Sequence, residues 1–214
     1  MTLKLVIYDM DGTSIESSLL HEGAWKYALS KTRTAVPPDF LEWQRGRATE
    51  DAASALSSDP RVIDEIVAEK QQYVMHHLSI ISMKNDFIKT VYALQLRNLK
   101  VGICTAASRD FVDKIFKAIP PLALFSESII CSEDSVKRKP HPEPLLLLME
   151  KTQVTNPQDC VYIGDSVNDY LAAKAAQCHF INYLDAADSS IPATVPVISD
   201  HYQLLAYLDN LSPR

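Results

Sequence analysis

Short apolar runs rich in β-branched and aromatic residues recur along the chain, at residues 3–8, 101–105, 128–131, 160–163 and 179–183. A run that is apolar at successive positions is typical of a strand buried on both faces, as in a parallel sheet. Segments with helical spacing of apolar residues lie between these runs, at residues 86–99, 110–119, 142–151 and 168–176. Strands that alternate with helices predict βαβ units, and we therefore expect an α/β fold with a doubly wound parallel sheet.

The stretch between the first two predicted strands is too long for one crossover helix. It contains no convincing strand between residues 14 and 82, but helical patterns cover residues 22–31, 49–56 and 60–78. One proline pair, Pro37-Pro38, and a Ser-Ser-Asp-Pro cluster separate these patterns, as expected of turns. The sequence therefore predicts an all-helical cap inserted after the first strand, with residues 15–82 in the cap and residues 1–14 and 83–214 in the core.

Polar residues follow three of the predicted strands, and a basic turn leads into the helix before the fourth strand. These positions are Asp9, Asp11, Gly12, Thr105, Lys139, Asp165 and Asp169. In open parallel sheets, ligands bind outside the carboxyl ends of the strands. We therefore expect these residues to converge at one edge of the sheet.

The chemistry of such a cluster points to phosphoryl transfer. Asp9, at the end of a buried strand, can attack phosphorus and form an aspartyl-phosphate. Asp11 lies two residues further and can act as general acid and then as general base. Gly12 permits a tight turn beside a phosphate. Thr105 can donate a hydrogen bond to a phosphoryl oxygen, and Lys139 can neutralise the developing charge.

A third carboxylate, Asp165, completes a set of oxygen donors with Asp9 and Asp11. A site rich in oxygen and poor in nitrogen or sulfur favours a hard cation, and Mg²⁺ is the one that most often accompanies a phosphate. Clustered carboxylates and a phosphate would otherwise repel each other strongly. The sequence thus predicts Mg²⁺ as the cofactor.

Four sequence features occur in one order: Asp-x-Asp-Gly-Thr, a strand-terminal Thr, Lys-Pro-x-Pro and Gly-Asp-Ser-x-x-Asp. Together they resemble the four motifs of the haloacid dehalogenase superfamily, over residues 1–20 and 84–185. The resemblance implies a Rossmann-like core, with Asp9 as nucleophile and Asp11 as acid/base. It also implies Mg²⁺ bound by Asp9, the Asp11 main-chain carbonyl and Asp165, with Asp169 in support. Because Asp11 is present, the resemblance favours phosphate transfer over dehalogenation.

The predicted cap resembles that of the subfamily of phosphoglycolate phosphatases and β-phosphoglucomutases. His21, in a His-x-x-Ala-Trp stretch, and Arg47, in Arg-Gly-Arg, are candidate substrate-binding residues. Gly12 and Ala106, which adjoin the predicted catalytic residues, are assigned to substrate binding as well. Two positions depart from the family pattern. Thr49 stands where a mutase has an arginine for a second phosphate, and Ser14 stands where a leucine is usual.

Composition narrows the classes of partner. The formal net charge is −6 and the pI about 5.5, so no general positive field attracts nucleic acid or an anionic membrane. No segment approaches the roughly 18 apolar residues of a membrane span, and the four cysteines show no Cys-x-x-Cys pair. We therefore expect reduced thiols, a cytoplasmic protein without nucleic-acid or membrane partners, and a monomer or homodimer.

The leading functional hypothesis is a Mg²⁺-dependent phosphatase of a small phosphorylated metabolite, such as phosphoglycolate or a sugar phosphate. A β-phosphoglucomutase-like phosphomutase shares the first half-reaction but needs a site for a second phosphate. A receiver-like phospho-acceptor module also places Asp, Thr and Lys around Mg²⁺. That module lacks a long helical insert and a second Asp two residues after the acceptor.

Overall fold

The core of the protein is a six-stranded sheet in which every neighbouring pair of strands is parallel. The computed structural model describes residues 3–183 and 190–211. The sheet strands are β1 (Leu5–Tyr8), β4 (Lys100–Cys104), β5 (Ile129–Ile130), β6 (Cys160–Gly164), β7 (His179–Tyr183) and β8 (Val197–Ile198). Their order across the sheet is β5-β4-β1-β6-β7-β8. The predicted α/β fold with a parallel sheet is confirmed, although β8 was not expected from the sequence.

The central strand β1 shows why a continuous apolar run marks a parallel strand. All four of its residues are buried, because successive side chains point to opposite faces of a sheet that is covered on both sides. Val6 and Tyr8 belong to one hydrophobic cluster, and Leu5 and Ile7 belong to another. Each face therefore has its own core, and β1 contributes to both.

Helices cover the two faces of the sheet. Their bounds are α1 (Ser18–Thr32), α2 (Phe40–Trp43), α3 (Thr49–Ser54), α4 (Pro60–His76), α5 (Phe87–Leu96), α6 (Arg109–Ala118), α7 (Glu143–Lys151), α8 (Val167–Ala176) and α9 (His201–Leu211). Residues of α5, α6 and α9 join the cluster of Val6 and Tyr8, whereas residues of α7 and α8 join that of Leu5 and Ile7. Within the described ranges, none of these helices is long and apolar enough to cross a lipid bilayer.

Helices α1 to α4 form the insert after β1. A separate hydrophobic cluster holds them together around Trp25, Phe40 and Ile66, and α1 packs along α4. Two short strands, β2 (Ile15–Glu16) and β3 (Ser82–Met83), pair antiparallel where the chain enters and leaves the insert.

The expectation of no strand between residues 14 and 82 was therefore wrong at both ends of that stretch. Two-residue strands carry no periodicity in the sequence, and they arise here because the two crossings of the chain lie side by side. The cap and core boundaries remain a prediction, and residues 1–2, 184–189 and 212–214 of the proposed core lie outside the described residues.

Candidate active site

The carboxyl ends of three adjacent strands carry the polar residues expected there. Asp9 follows β1, Thr105 follows β4 and Asp165 follows β6, and β1 lies between β4 and β6. Asp9 is 5% exposed, and its backbone N–H donates to the Ile163 carbonyl at 2.8 Å. The Ser14 hydroxyl donates to the Asp9 carbonyl at 2.7 Å. The sheet and the following loop therefore fix the position of the Asp9 backbone.

The turn after Asp9 requires glycine at position 12. Gly12 has a φ of +83°, and a Cβ atom there would lie 2.3 Å from the Asp165 Oδ2 atom. An L-residue would be strained by the positive φ and would clash with the carboxylate. The neighbouring Thr13 hydroxyl donates to Asp165 Oδ1 at 3.2 Å. The loop after β1 thus packs directly against the carboxylate that follows β6.

Lys139 lies at the centre of a buried hydrogen-bond network. Its Nζ donates to Asp9 Oδ1 at 2.6 Å, to Asp169 Oδ1 at 2.7 Å and to the Tyr162 hydroxyl at 2.9 Å. Burial alone would lower the pKa of Lys139, but the carboxylates of Asp169 and Asp9 raise it above its ordinary value. Lys139 is therefore a permanent cation in contact with the predicted nucleophile.

Asp169 supports this cation from the first turn of α8. Its Oδ2 accepts hydrogen bonds from the backbone N–H and the hydroxyl of Ser166, which form a capping box. Its Oδ1 accepts from Lys139 and from the Tyr162 hydroxyl, the latter at 2.7 Å. Both carboxylate oxygens of Asp169 are thus already hydrogen-bonded. This arrangement suits a residue that orients Lys139, and it suits a direct metal ligand less well.

Three carboxylates meet as a candidate metal site. One oxygen from each of Asp9, Asp165 and Asp169 lies within 4.8 Å of the other two. Burial, and then the neighbouring Asp169, raise the pKa of Asp165 to about 7. Burial also raises the pKa of Asp9 well above its ordinary value, and Asp169 and Asp165 add to this although Lys139 opposes it. A divalent cation would relieve the repulsion, so Asp9 and Asp165 fit Mg²⁺ as direct oxygen ligands, with Asp169 in support behind them.

Asp11 faces a different environment from Asp9. Its Oδ1 accepts from the Ser17 hydroxyl at 2.6 Å and lies 3.1 Å from His21 Nε2. Burial acts to raise the pKa of Asp11, but the hydrogen bonds from His21 and Ser17 outweigh it and the net pKa is lowered. Two hydrogen-bond partners thus hold the Asp11 carboxylate at the wall of the cavity, within reach of a bound substrate, as acid/base work requires.

A cavity of about 410 Å³ opens above these residues. Most of the predicted catalytic and binding residues line it, namely Asp9, Asp11, Gly12, His21, Arg47, Thr105, Ala106 and Asp165. Lys139 and Asp169 lie in the network directly behind Asp9. The structure thus brings together every site residue that the sequence analysis named.

The loop that carries Arg47 closes the cavity from the side of the insert. Gly46 has a φ of +66°, and a Cβ atom there would lie 2.4 Å from the Ser166 hydroxyl. The Asn168 amide donates to the Arg45 carbonyl at 3.3 Å. The guanidinium of Arg47 stacks at 4.1 Å from the Trp43 ring centroid, and its Nε donates to the Trp43 carbonyl.

The sequence analysis missed two residues of the site. The Tyr162 hydroxyl bonds both Lys139 and Asp169, but a tyrosine inside an apolar strand reads as an ordinary core residue. Lys70 lines the cavity from α4 and is 7% exposed. It interrupts the buried stripe of α4 between Ile66 and Val74. A charged residue at an apolar position of a helix was the signal that could have revealed it.

The fold and the site define the class of protein: an α/β enzyme with a strand-end aspartate, a buried lysine beside it and a helical insert over the cavity. A family model of haloacid dehalogenase-like hydrolases matches residues 6–183. The chain belongs to this family, as the sequence motifs predicted.

Comparison with individual proteins agrees with this assignment. The phosphoglycolate phosphatase of Escherichia coli (strain K12) is 30% identical, and the match covers 89% of this chain and 87% of the relative. A hydrolase from Pseudomonas syringae has a TM-score of 0.88 at 22% identity, covering 98% and 100% of the two chains. A β-phosphoglucomutase from Clostridium difficile has a TM-score of 0.84 at 19% identity, covering 98% and 96%. These structural likenesses show a shared fold.

Proposed function

We propose that this protein is a Mg²⁺-dependent phosphatase that hydrolyses a small phosphorylated metabolite through an aspartyl-phosphate on Asp9. The observation that carries the proposal is the contact between Lys139 and Asp9 at 2.6 Å, at a sheet edge where two further carboxylates converge. A buried lysine beside a buried aspartate suits the transfer of a negatively charged phosphoryl group, because the cation offsets charge in a region of low dielectric.

The chain's own residues support two half-reactions. In the first, a carboxylate oxygen of Asp9 forms a bond to phosphorus and the ester oxygen leaves. Asp11, as general acid, gives its proton to the leaving oxygen and becomes a carboxylate, with His21 Nε2 at 3.1 Å from its Oδ1. In the second, Asp11 takes a proton from a water molecule whose oxygen attacks phosphorus. The Asp9–phosphorus bond then breaks and inorganic phosphate is released.

Several residues hold the transferred group during these steps. Lys139 neutralises charge on Asp9 and on the phosphoryl oxygens. Thr105, which is 3% exposed and lines the cavity, offers its hydroxyl to a phosphoryl oxygen. Asp9, the Asp11 carbonyl and Asp165 would hold Mg²⁺, which supplies Lewis-acid stabilisation of the phosphoryl group when it is bound.

Membership of the hydrolase family and the phosphoglycolate phosphatase relatives support the enzyme class, a phosphatase. The same relatives favour a phosphoglycolate-like substrate over a sugar phosphate. The mutase alternative is weaker, because position 49 offers a hydroxyl with the single positive charge of Lys70 beside it, where a second phosphate dianion needs more than one cation. A receiver-like module is disfavoured by the helical insert and by Asp11. The cytoplasmic location and the monomeric or homodimeric state remain predictions.

The test is release of inorganic phosphate from p-nitrophenyl phosphate and 2-phosphoglycolate, with Mg²⁺ and with EDTA. We expect metal-dependent release by the wild type and a loss of at least about 10³-fold in Asp9→Asn, because the amide is not a nucleophile. Asp39→Asn, on the insert, is the matched control and should keep full activity. Equal rates in Asp9→Asn and wild type would refute the covalent mechanism.

A further inference from the structure

We propose that Lys70 binds a second anionic group of the substrate, a carboxylate on the leaving group, and so selects phosphorylated hydroxy acids. The inference rests on the proposed phosphatase function and identifies the substrate class of that site. It assigns a role to a residue of the helical insert that none of the sequence motifs contains.

The position of Lys70 is well defined by its surroundings. Its Nζ donates to the Thr49 hydroxyl at 2.9 Å and lies 4.8 Å from the centroid of the Trp25 ring. The flanking residues of the same helical stripe, Ile66 and Val74, are 0% and 5% exposed. The ammonium group is therefore held at the wall of the cavity and not in bulk solvent.

The buried charge of Lys70 has no ion-pair partner. Among residues 3–183 and 190–211, Lys70 forms no ion pair with a carboxylate, and the Thr49 hydroxyl is its one hydrogen-bond acceptor. Burial lowers the pKa of Lys70 to about 8, while Asp11 and Glu50 act to raise it, so the group is mostly protonated at neutral pH. An ammonium has three N–H donors, and burial of a charge without a partner is unfavourable. A substrate anion in the cavity would supply that partner.

A carboxylate fits this position better than a second phosphate does. Lys70 carries a single charge, and the guanidinium of Arg47 is stacked on Trp43 and bonded to its carbonyl. A phosphate dianion would need further cations, whereas one ammonium matches one carboxylate. Asp9 and Lys70 line the same cavity of about 410 Å³, so one substrate can place its phosphoryl group at Asp9 and its carboxylate at Lys70.

The first experiment compares kcat/KM for three substrates: 2-phosphoglycolate, ethyl phosphate and propane-1,3-diol bisphosphate. Lys70→Met and Lys70→Gln remove the charge, and Lys26→Met is the matched control on an exposed face of the insert. We expect both Lys70 variants to lose at least about tenfold on 2-phosphoglycolate, which corresponds to about 1.4 kcal/mol. Less than a twofold change is expected on ethyl phosphate, and Lys26→Met should match the wild type.

The second experiment measures binding without turnover, by calorimetry with Mg²⁺ present. The probes are 3-phosphonopropionate and propylphosphonate, which differ in the carboxylate. We expect the wild type to prefer 3-phosphonopropionate by about tenfold or more and the Lys70 variants to lose that preference.

Equal affinity of the wild type for the two phosphonates would overturn the inference, as would equal losses on all three substrates in the Lys70 variants. If the Lys70 variants lose more activity on the bisphosphate than on 2-phosphoglycolate, Lys70 binds a second phosphate, and the assignment of a carboxylate is overturned. An inactive wild type that still shows the Lys70-dependent preference would refute the proposed phosphatase function and leave the assignment of Lys70 standing.

Discussion

Removing the hydroxyl of Tyr162 tests whether the buried network around Lys139 is as tightly coupled as its geometry indicates. Tyr162 is fully buried on β6. Its hydroxyl accepts from Lys139 Nζ at 2.9 Å and donates to Asp169 Oδ1 at 2.7 Å. Tyr162→Phe keeps the ring and its packing but deletes these two hydrogen bonds and a longer one to the Cys104 carbonyl at 3.3 Å. The neighbouring strand provides a matched control in Tyr8, whose buried hydroxyl has no hydrogen-bond partner among the residues that the structure describes.

The expected magnitude follows from the charges involved. A hydrogen bond to a charged group contributes about 1.5–3 kcal/mol, and a buried group left without its partner adds to the loss. Lys139 keeps its bonds to Asp9 and Asp169, so only the contribution of the tyrosine is removed. We expect Tyr162→Phe to lower the free energy of unfolding by about 1.5–3 kcal/mol. Tyr8→Phe should change it by less than about 0.5 kcal/mol or raise it, because it removes a buried unpaired hydroxyl.

Urea unfolding monitored by circular dichroism measures this difference. With a denaturant slope of about 2–3 kcal/mol/M, the midpoint of Tyr162→Phe should fall by about 0.5–1.5 M, and that of Tyr8→Phe should stay near the wild type. Phosphate release should fall in Tyr162→Phe, because Lys139 is held less firmly against Asp9. Equal midpoints for the two variants would show that the Tyr162 hydroxyl adds nothing to the network and would refute the reasoning.

Three further predictions follow from the geometry of the site. Gly46→Ala should lower kcat/KM at least about tenfold, because its Cβ would meet the Ser166 hydroxyl at 2.4 Å; unchanged kinetics would show that the loop does not dock there during turnover. Asp165→Asn should weaken Mg²⁺ binding at least about tenfold in a calorimetric titration, since it removes a charged ligand; unchanged affinity would place the metal elsewhere. Burial lowers the pKa of His201 in the folded protein to about 4. Between pH 6.5 and 4 the unfolded chain therefore binds more protons at this residue than the folded protein does. The wild type should lose up to about 3 kcal/mol of its free energy of unfolding as the pH falls through this range. His201→Gln should show a smaller loss in urea unfolding at pH 4.5 and 7, and an identical pH dependence would contradict the assignment.

Most of the sheet and the ends of its central strands were accessible from the sequence, for a physical reason. A strand buried on both faces has to be apolar at every position, so the run before Asp9 is visible without any structure. The chain leaves such a strand at the sheet edge where neighbouring parallel strands also end. The polar residues Asp9, Thr105 and Asp165 are therefore brought together by topology alone.

Short strands and helices were harder to predict from the sequence. The strands at Ile15–Glu16 and Ser82–Met83 are too short to carry a pattern of their own. They exist because the two crossings between core and insert pair with each other, an arrangement that depends on residues far apart in the sequence. The helix Phe40–Trp43 is one turn long and was missed for the same reason.

Side chains whose role depends on a distant partner were decided only by the tertiary structure. Tyr162 reads as a core residue until α8 and the Lys139 turn place two charged groups at its hydroxyl. Lys70 reads as a solvated lysine until α4 packs and buries it beside Thr49. The amino-acid sequence determines which residues are buried along each element, because burial follows local periodicity. Which polar groups then meet in that buried space depends on how the elements pack, and no local pattern records it.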